Sequence, residues 1–206
     1  MKQFILLLSL LIGIKTYAQS IDIELLKKAD NYFNKSDYYN AKKIYENLIN
    51  SPDITEKDRV LFNLGKSYYS LQQKEDAYNT FSTLLSEYPD SEYSRNAIPM
   101  IGTYLIEKRE YDKAISLLEK YSLKYNDITL KKELLKVYDA AGNYDKALSF
   151  LENNFQLSEW YIEKKVKYMK LLKQYDDAIK FINSIINQYN RPQYYKMLAE
   201  IYIEKK

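Results

Sequence analysis

Residues 61–89 decide the fold: Leu61-Phe62-Asn63-Leu64-Gly65-Lys66-Ser67-Tyr68, then Ala77-Tyr78-Asn79-Thr80-Phe81-Ser82-Thr83-Leu84, closed by Pro89. Leu61, Leu64, Gly65 and Tyr68 recur at the spacing of one helical stripe, and Ala77, Phe81 and Leu84 form a second stripe. Gly65 removes a side chain where the second helix must approach the first, and Ala77 starts that second helix at the crossing point. A large residue there would overpack the pair at a cost of about 1–3 kcal/mol.

The same pattern extends in both directions. Upstream lie Leu25, Ala29, Tyr32, Ala41, Tyr45 and Leu48, and downstream Ile98, Ile101, Gly102, Leu105, Ala114, Leu118 and Tyr121. A fourth copy holds Leu134, Leu135, Tyr138, Ala147 and Leu151, and a fifth holds Ile162, Val166, Met169, Ala178, Ile182 and Ile185. Ala41, Ala77, Ala114, Ala147 and Ala178 follow one another at intervals of 36, 37, 33 and 31 residues. Ala29 and Ala199 fill the Gly65 slot less completely than glycine does, and Leu198-Ala199 with Tyr202 reads as a last half-copy. The turn before each second helix also recurs, with Tyr38, Tyr111, Tyr144 and Tyr175 one turn ahead of their alanines; Lys74 replaces tyrosine in copy two.

These residues resemble the tetratricopeptide repeat, whose pattern of Leu-Gly-x-x-Tyr, Ala-x-x-x-Phe and Pro spans about 34 residues. Leu61 stands where the family has Trp, copies four and five lack the Leu-Gly pair, and only copy two has the closing Pro. The resemblance implies an all-α, right-handed α-solenoid of antiparallel helix pairs, with repeats near 22–54, 55–90, 91–127, 128–158 and 159–191 and a half-repeat at 192–206. The structural positions are Ala29, Ala41, Gly65, Tyr68, Ala77, Phe81, Gly102, Ala114, Tyr138, Ala147 and Ala178. Pro52, Pro89 and Pro192 fall at repeat boundaries; for Pro99 the expectation is a helix beginning near Asn96, with the proline in its first turn.

The family's usual role is to bind a peptide or protein on a concave face lined by the first helices. By that implication the groove holds Phe62, Lys66 and Tyr69 in copy two and Thr103 and Ile106 in copy three. Copies four and five contribute Lys132, Lys136, Lys167 and Lys170. An aromatic half followed by a lysine-lined half suits an acidic protein segment, against the ordinary alternative of a solvated helix face. Leu26 and Asp30 stand where the family's carboxylate clamp has Lys and Asn, which argues against a chaperone-tail receptor. About ten of the 23 tyrosines fall in core slots, Tyr202 among them, leaving Tyr69, Tyr104, Tyr161 and Tyr168 as contact candidates. Trp160 is expected to staple neighbouring repeats.

Composition narrows the chemistry. The 206 residues contain no His and no Cys, so His-dependent relays, thiolate nucleophiles, disulfides and most zinc or haem sites are ruled out as activities of this chain. No paired-acid motif or Gly-rich phosphate loop points to another enzyme class, and no cofactor is expected.

The chain opens Met1-Lys2-Gln3, then an apolar run of eleven residues from Phe4 to Ile14, then Lys15-Thr16-Tyr17-Ala18. A basic start, a short apolar stretch and small residues describe a secretory signal peptide of residues 1–18, too short to span a bilayer, and place the product in the periplasm or outside the cell. With no Cys after the run, no lipid anchor is expected. The remaining chain has 29 basic and 28 acidic side chains, so no nucleic-acid role and no transmembrane segment are expected of it. Tyr88-Pro89-Asp90-Ser91-Glu92-Tyr93 is similar to the inter-repeat turn of two envelope families, the barrel-assembly lipoprotein and the Tol–Pal-associated repeat protein. The function expected is a non-enzymatic scaffold of the bacterial envelope. The alternatives are self-assembly through the open C-terminal repeat edge and an envelope enzyme working without His or Cys.

Overall fold

The computed structural model describes residues 2–52 and 54–206, and the side chains of these except at residues 2–6, 8–12 and 18. Eleven helices account for the described residues: α1 (Lys2–Asn34), α2 (Tyr38–Leu48), α3 (Lys57–Ser70), α4 (Lys74–Glu87), α5 (Glu92–Glu107), α6 (Tyr111–Tyr125), α7 (Ile128–Ala140), α8 (Tyr144–Asn154), α9 (Glu159–Leu171), α10 (Tyr175–Tyr189) and α11 (Pro192–Lys205). They form two compact units, residues 1–104 and 105–206, divided within α5.

In the first unit α1 packs on α2, α2 on α3 and α3 on α4. Leu26, Ala29, Ala41, Tyr45, Leu48, Val60 and Leu64 make one buried cluster. A Cβ added to Gly65 would stand 2.5 Å from the ring of Phe81, which is itself buried, so the missing side chain is what lets α4 lie on α3. In the second unit Leu134, Leu135, Ala147, Leu151, Ile162, Val166, Ala178 and Ile182 are buried in the same way. Ala77, Ala114 and Gly102 are buried and Tyr68 is half-buried. Gly65 and Ala29 thus lie inside, whereas Ala199 in the equivalent slot of α11 is exposed. No following helix covers that face among the described residues, and Tyr202, expected in the core, is 49% exposed for the same reason.

The turn into each second helix is one structure repeated five times. Ser36, Gln72, Arg109, Gly142 and Lys173 all have φ between 57° and 73°. The next amide donates to the carbonyl five residues back: Asp37 to Tyr32, Gln73 to Tyr68, Glu110 to Leu105, Asn143 to Tyr138 and Gln174 to Met169, each at 2.8–2.9 Å. That geometry closes a helix with a left-handed residue. Only Gly142 has the residue type that adopts it without steric cost.

Two further expectations are corrected. α5 begins at Glu92 and continues through Pro99, so the proline is interior rather than in a first turn. Pro99 donates no amide hydrogen bond, but its carbonyl accepts the Thr103 hydroxyl at 2.9 Å. Tyr161 and Tyr168 are buried and not available as contact residues, because their side of α9 faces the repeat core. α1 is continuous from Lys2 to Asn34. Met1 and most side chains of the expected signal segment lie outside the described residues, and cleavage after Ala18 stays an expectation. Among the described residues no helix is long and apolar enough to cross a membrane.

Candidate functional site

The first helices present three outward slots per repeat, occupied by Phe62, Lys66 and Tyr69 in α3, by Lys132, Lys136 and Asp139 in α7, and by Glu163, Lys167 and Lys170 in α9. In three pairs of neighbouring repeats the structure joins the middle slot of one repeat to the third slot of the repeat before it. Lys66 Nζ lies 5.1 Å from the centroid of Phe33 and 5.6 Å from that of Phe62, held by two rings. Lys167 Nζ donates to both carboxylate oxygens of Asp139, at 2.6 and 2.8 Å. In the next pair the signs are exchanged, with Lys170 in the third slot facing Glu200 at 3.8 Å and reaching Glu204 at 2.6 Å.

The sequence-derived contact residues therefore divide. Phe62 and Lys66 come together, and Tyr69, 37% exposed, lies on the same helix. Lys167 and Lys170 come together in one groove. Thr103 and Ile106 are half-buried, the first in residues 1–104 and the second in 105–206. Lys132 and Lys136 do not line that groove: Lys132 stands 5.2 Å over Trp160, and Lys136 pairs with Glu133 on its own helix at 2.6 Å. Trp160 also meets Phe155 at 5.0 Å, which makes it a staple between α7, the α8–α9 turn and α9.

The groove lies between α9 and α11 and encloses about 530 Å³. Val166, Leu171 and Met197 form its apolar lining, and Tyr175 closes it from the start of α10. Its charged lining is balanced, with Lys167, Lys170 and Lys173 against Glu163, Glu200 and Glu204. Sequence reasoning missed Glu200 and Glu204, because both lie on a different repeat from the lysine they answer.

Sequence reasoning also missed a carboxylate set beneath the repeat tyrosines. The Tyr68 hydroxyl donates to Glu46 and the Tyr138 hydroxyl to Glu119, at 2.7 and 2.6 Å. In both, burial raises the phenol pKa and the neighbouring carboxylate raises it further. Asp30 accepts from Tyr45 and from Arg59, each at 2.7 Å, tying α1 to α2 and α3. Burial and then Asp30 push the Tyr45 hydroxyl well above the ordinary phenol range. These groups hold helices together. Among the described residues no group of three or more acidic side chains could hold a metal ion.

Residues 59–91 match the tetratricopeptide repeat family model. No curated protein matches the chain at a significant level. Among solved structures, a tetratricopeptide repeat protein from Parabacteroides merdae ATCC 43184 is similar with a TM-score of 0.67 at 16% identity, over 89% of this chain and 73% of that one. A MamA protein is similar with a TM-score of 0.66 at 19% identity, over 89% and 93%. MamA AMB-1 gives 0.62 at 14% identity, over 87% and 90%. At such identities the likeness is one of fold. That fold is the all-α tetratricopeptide solenoid of antiparallel helix pairs.

Proposed function

We propose that this chain, a tetratricopeptide-repeat fold, is a non-enzymatic scaffold that takes a segment of a partner protein into the groove between α9 and α11. The observation that carries the reading is the groove itself: about 530 Å³ of open space with an apolar lining and charges of both signs around it. Such a surface suits an extended or helical segment with alternating character. Three of the four lysines that suggested an acidic partner are answered by acids of this chain, so the site rests on the groove rather than on lysine excess.

Photo-crosslinking tests the site. A photoreactive residue replacing Leu171, 45% exposed in the groove, is expected to capture one partner in the native host. The same residue replacing Lys180 on α10, outside the groove lining, is not. Equal capture from both positions overturns the site. The export reading places that partner in the cell envelope, and it is supported by the apolar run from Phe4 to Ile14. N-terminal sequencing of the protein recovered from its host is expected to begin at Gln19; a chain still carrying residues 1–18 removes the envelope reading.

A second reading, self-assembly, has its own observation. Ile203 is 70% exposed beside exposed Tyr202 and Ala199 on α11, an uncovered face of the kind repeat arrays bury against a neighbour. Sedimentation velocity over a hundredfold concentration range decides it, and a strict monomer throughout removes it.

A further inference from the structure

Two of the three lysines on the groove are not free to meet a ligand. Lys167 is held by both oxygens of Asp139 on α7, and Lys170 by Glu204 on α11. Those contacts occupy the middle of the charged lining with this chain's own counter-ions. Two lining charges remain. Glu163, near the start of α9, and Lys173, just past its end, are exposed, and among the described residues neither side chain has an ion-pair or hydrogen-bond partner. Eight positions of helical rise and the two residues past the end of α9 place them roughly 15 Å apart along the groove, with Val166 and Leu171 between.

We infer that the groove selects a bipolar segment, with a basic side chain meeting Glu163, an acidic side chain meeting Lys173, and an apolar residue between them. The inference rests on the groove being the binding site. The separation fixes the spacing of an extended partner: at about 3.3 Å per residue, and with both charges on the face turned to the groove, they lie about four positions apart. Alternate side chains of such a strand point one way, so the residue midway between the charges is the apolar one that meets Val166 and Leu171. A segment acidic throughout would set a carboxylate against Glu163, and one basic throughout would set an ammonium against Lys173. Either arrangement costs affinity and is selected against.

The probe is a library of random twelve-residue peptides displayed on phage, panned against the purified chain. Enriched peptides are expected to carry Lys or Arg and Asp or Glu about four positions apart, with an apolar residue midway between them. Their synthetic versions are expected to lose about fivefold to tenfold in affinity against Glu163→Lys or Lys173→Glu. Peptides with the two charges exchanged should recover that loss against the double reversal. Both residues are exposed, so the variants should melt with the parent, and a melt by circular dichroism checks it. Leu171→Asp separates the two levels of the argument. Binders lost with Leu171→Asp but indifferent to both reversals overturn the bipolar selection and leave the groove in place. Binders indifferent to all three substitutions, or no binder at all, overturn the groove and this inference with it.

Discussion

The outward faces of α3 and α9 use the same slots for opposite purposes. On α3 the middle-slot Lys66 rests on the rings of Phe33 and Phe62. On α9 the equivalent Lys167 is clasped by Asp139, one repeat earlier and in the slot that Phe33 fills for Lys66. The register is shared, and the chemistry that fills it is not. A tetratricopeptide array fixes which residues of neighbouring repeats meet; whether rings or charges meet there is left to each copy. Beneath the two helices the cores differ in the same manner. Gly65 faces Phe81 in copy two, while Val166 and Ile182 occupy those slots in copy five.

The core difference gives the largest expected effect. Gly65→Val in α3 forces a branched side chain into a space where even a Cβ would stand 2.5 Å from the Phe81 ring. We expect a loss of about 3 kcal/mol by chemical denaturation, the upper end of overpacking costs. Adding Phe81→Ile installs copy five's pairing and should return at least half of that loss. If the double variant is no better than the single one, the slots of the two copies are not interchangeable.

The repeat tyrosine sharpens the comparison next. Tyr68 and Tyr138 donate to carboxylates on the preceding second helices, whereas copy five has Met169 in this slot. Tyr68→Phe should cost about 1–2 kcal/mol by removing a hydrogen bond to a charged group. Tyr45, Tyr68 and Tyr138 have pKa values raised first by burial and then by their carboxylates. The unfolded phenols titrate near pH 10 and the folded ones higher, so above pH 10 the folded state binds more protons. Stability contributed by these hydroxyls is therefore full below pH 10 and declines as pH rises beyond it. A denaturation series from pH 8 to 11 checks this, and a flat profile contradicts it.

How far the sequence discloses this molecule depends on the range of the interaction. The helix pairs were legible because Leu61, Leu64, Ala77 and Phe81 obey a local period. The left-handed turn was legible only at Gly142, since Ser36, Gln72, Arg109 and Lys173 adopt it without the residue that advertises it. The prediction that follows is smaller: Gln72→Gly should stabilise by about 1 kcal/mol and Gly142→Ala should destabilise by a similar amount, both read by thermal melts. The groove was half legible. Lys167 and Lys170 were visible as cations on one face, but Asp139 and Glu204 stand 28 and 34 residues away, and nothing in a helical period links them. Pro99 misled because a proline is ordinarily placed in a first turn, whereas here α5 runs on through it.

The smallest effect tests the opening comparison directly. Lys167 is partly exposed and its contact with Asp139 is between full charges, so the pair is worth at most about 1 kcal/mol and salt screens it. Lys66 is held by ring quadrupoles and by burial of its alkyl stem, an attraction of about 0.5–1 kcal/mol. The two lysines should therefore be nearly equal in low salt and separate as salt rises. Replacing each by methionine keeps the stem and removes the charge. At low ionic strength Lys167→Met and Lys66→Met are expected to destabilise by similar fractions of a kcal/mol. At 1 M salt the Lys167→Met penalty should vanish, because the Debye length has fallen to about 3 Å, while part of the Lys66→Met penalty persists. Penalties that fade together would mean that Lys66 is held by charge as Lys167 is, and the two faces would then differ in residue type but not in physics.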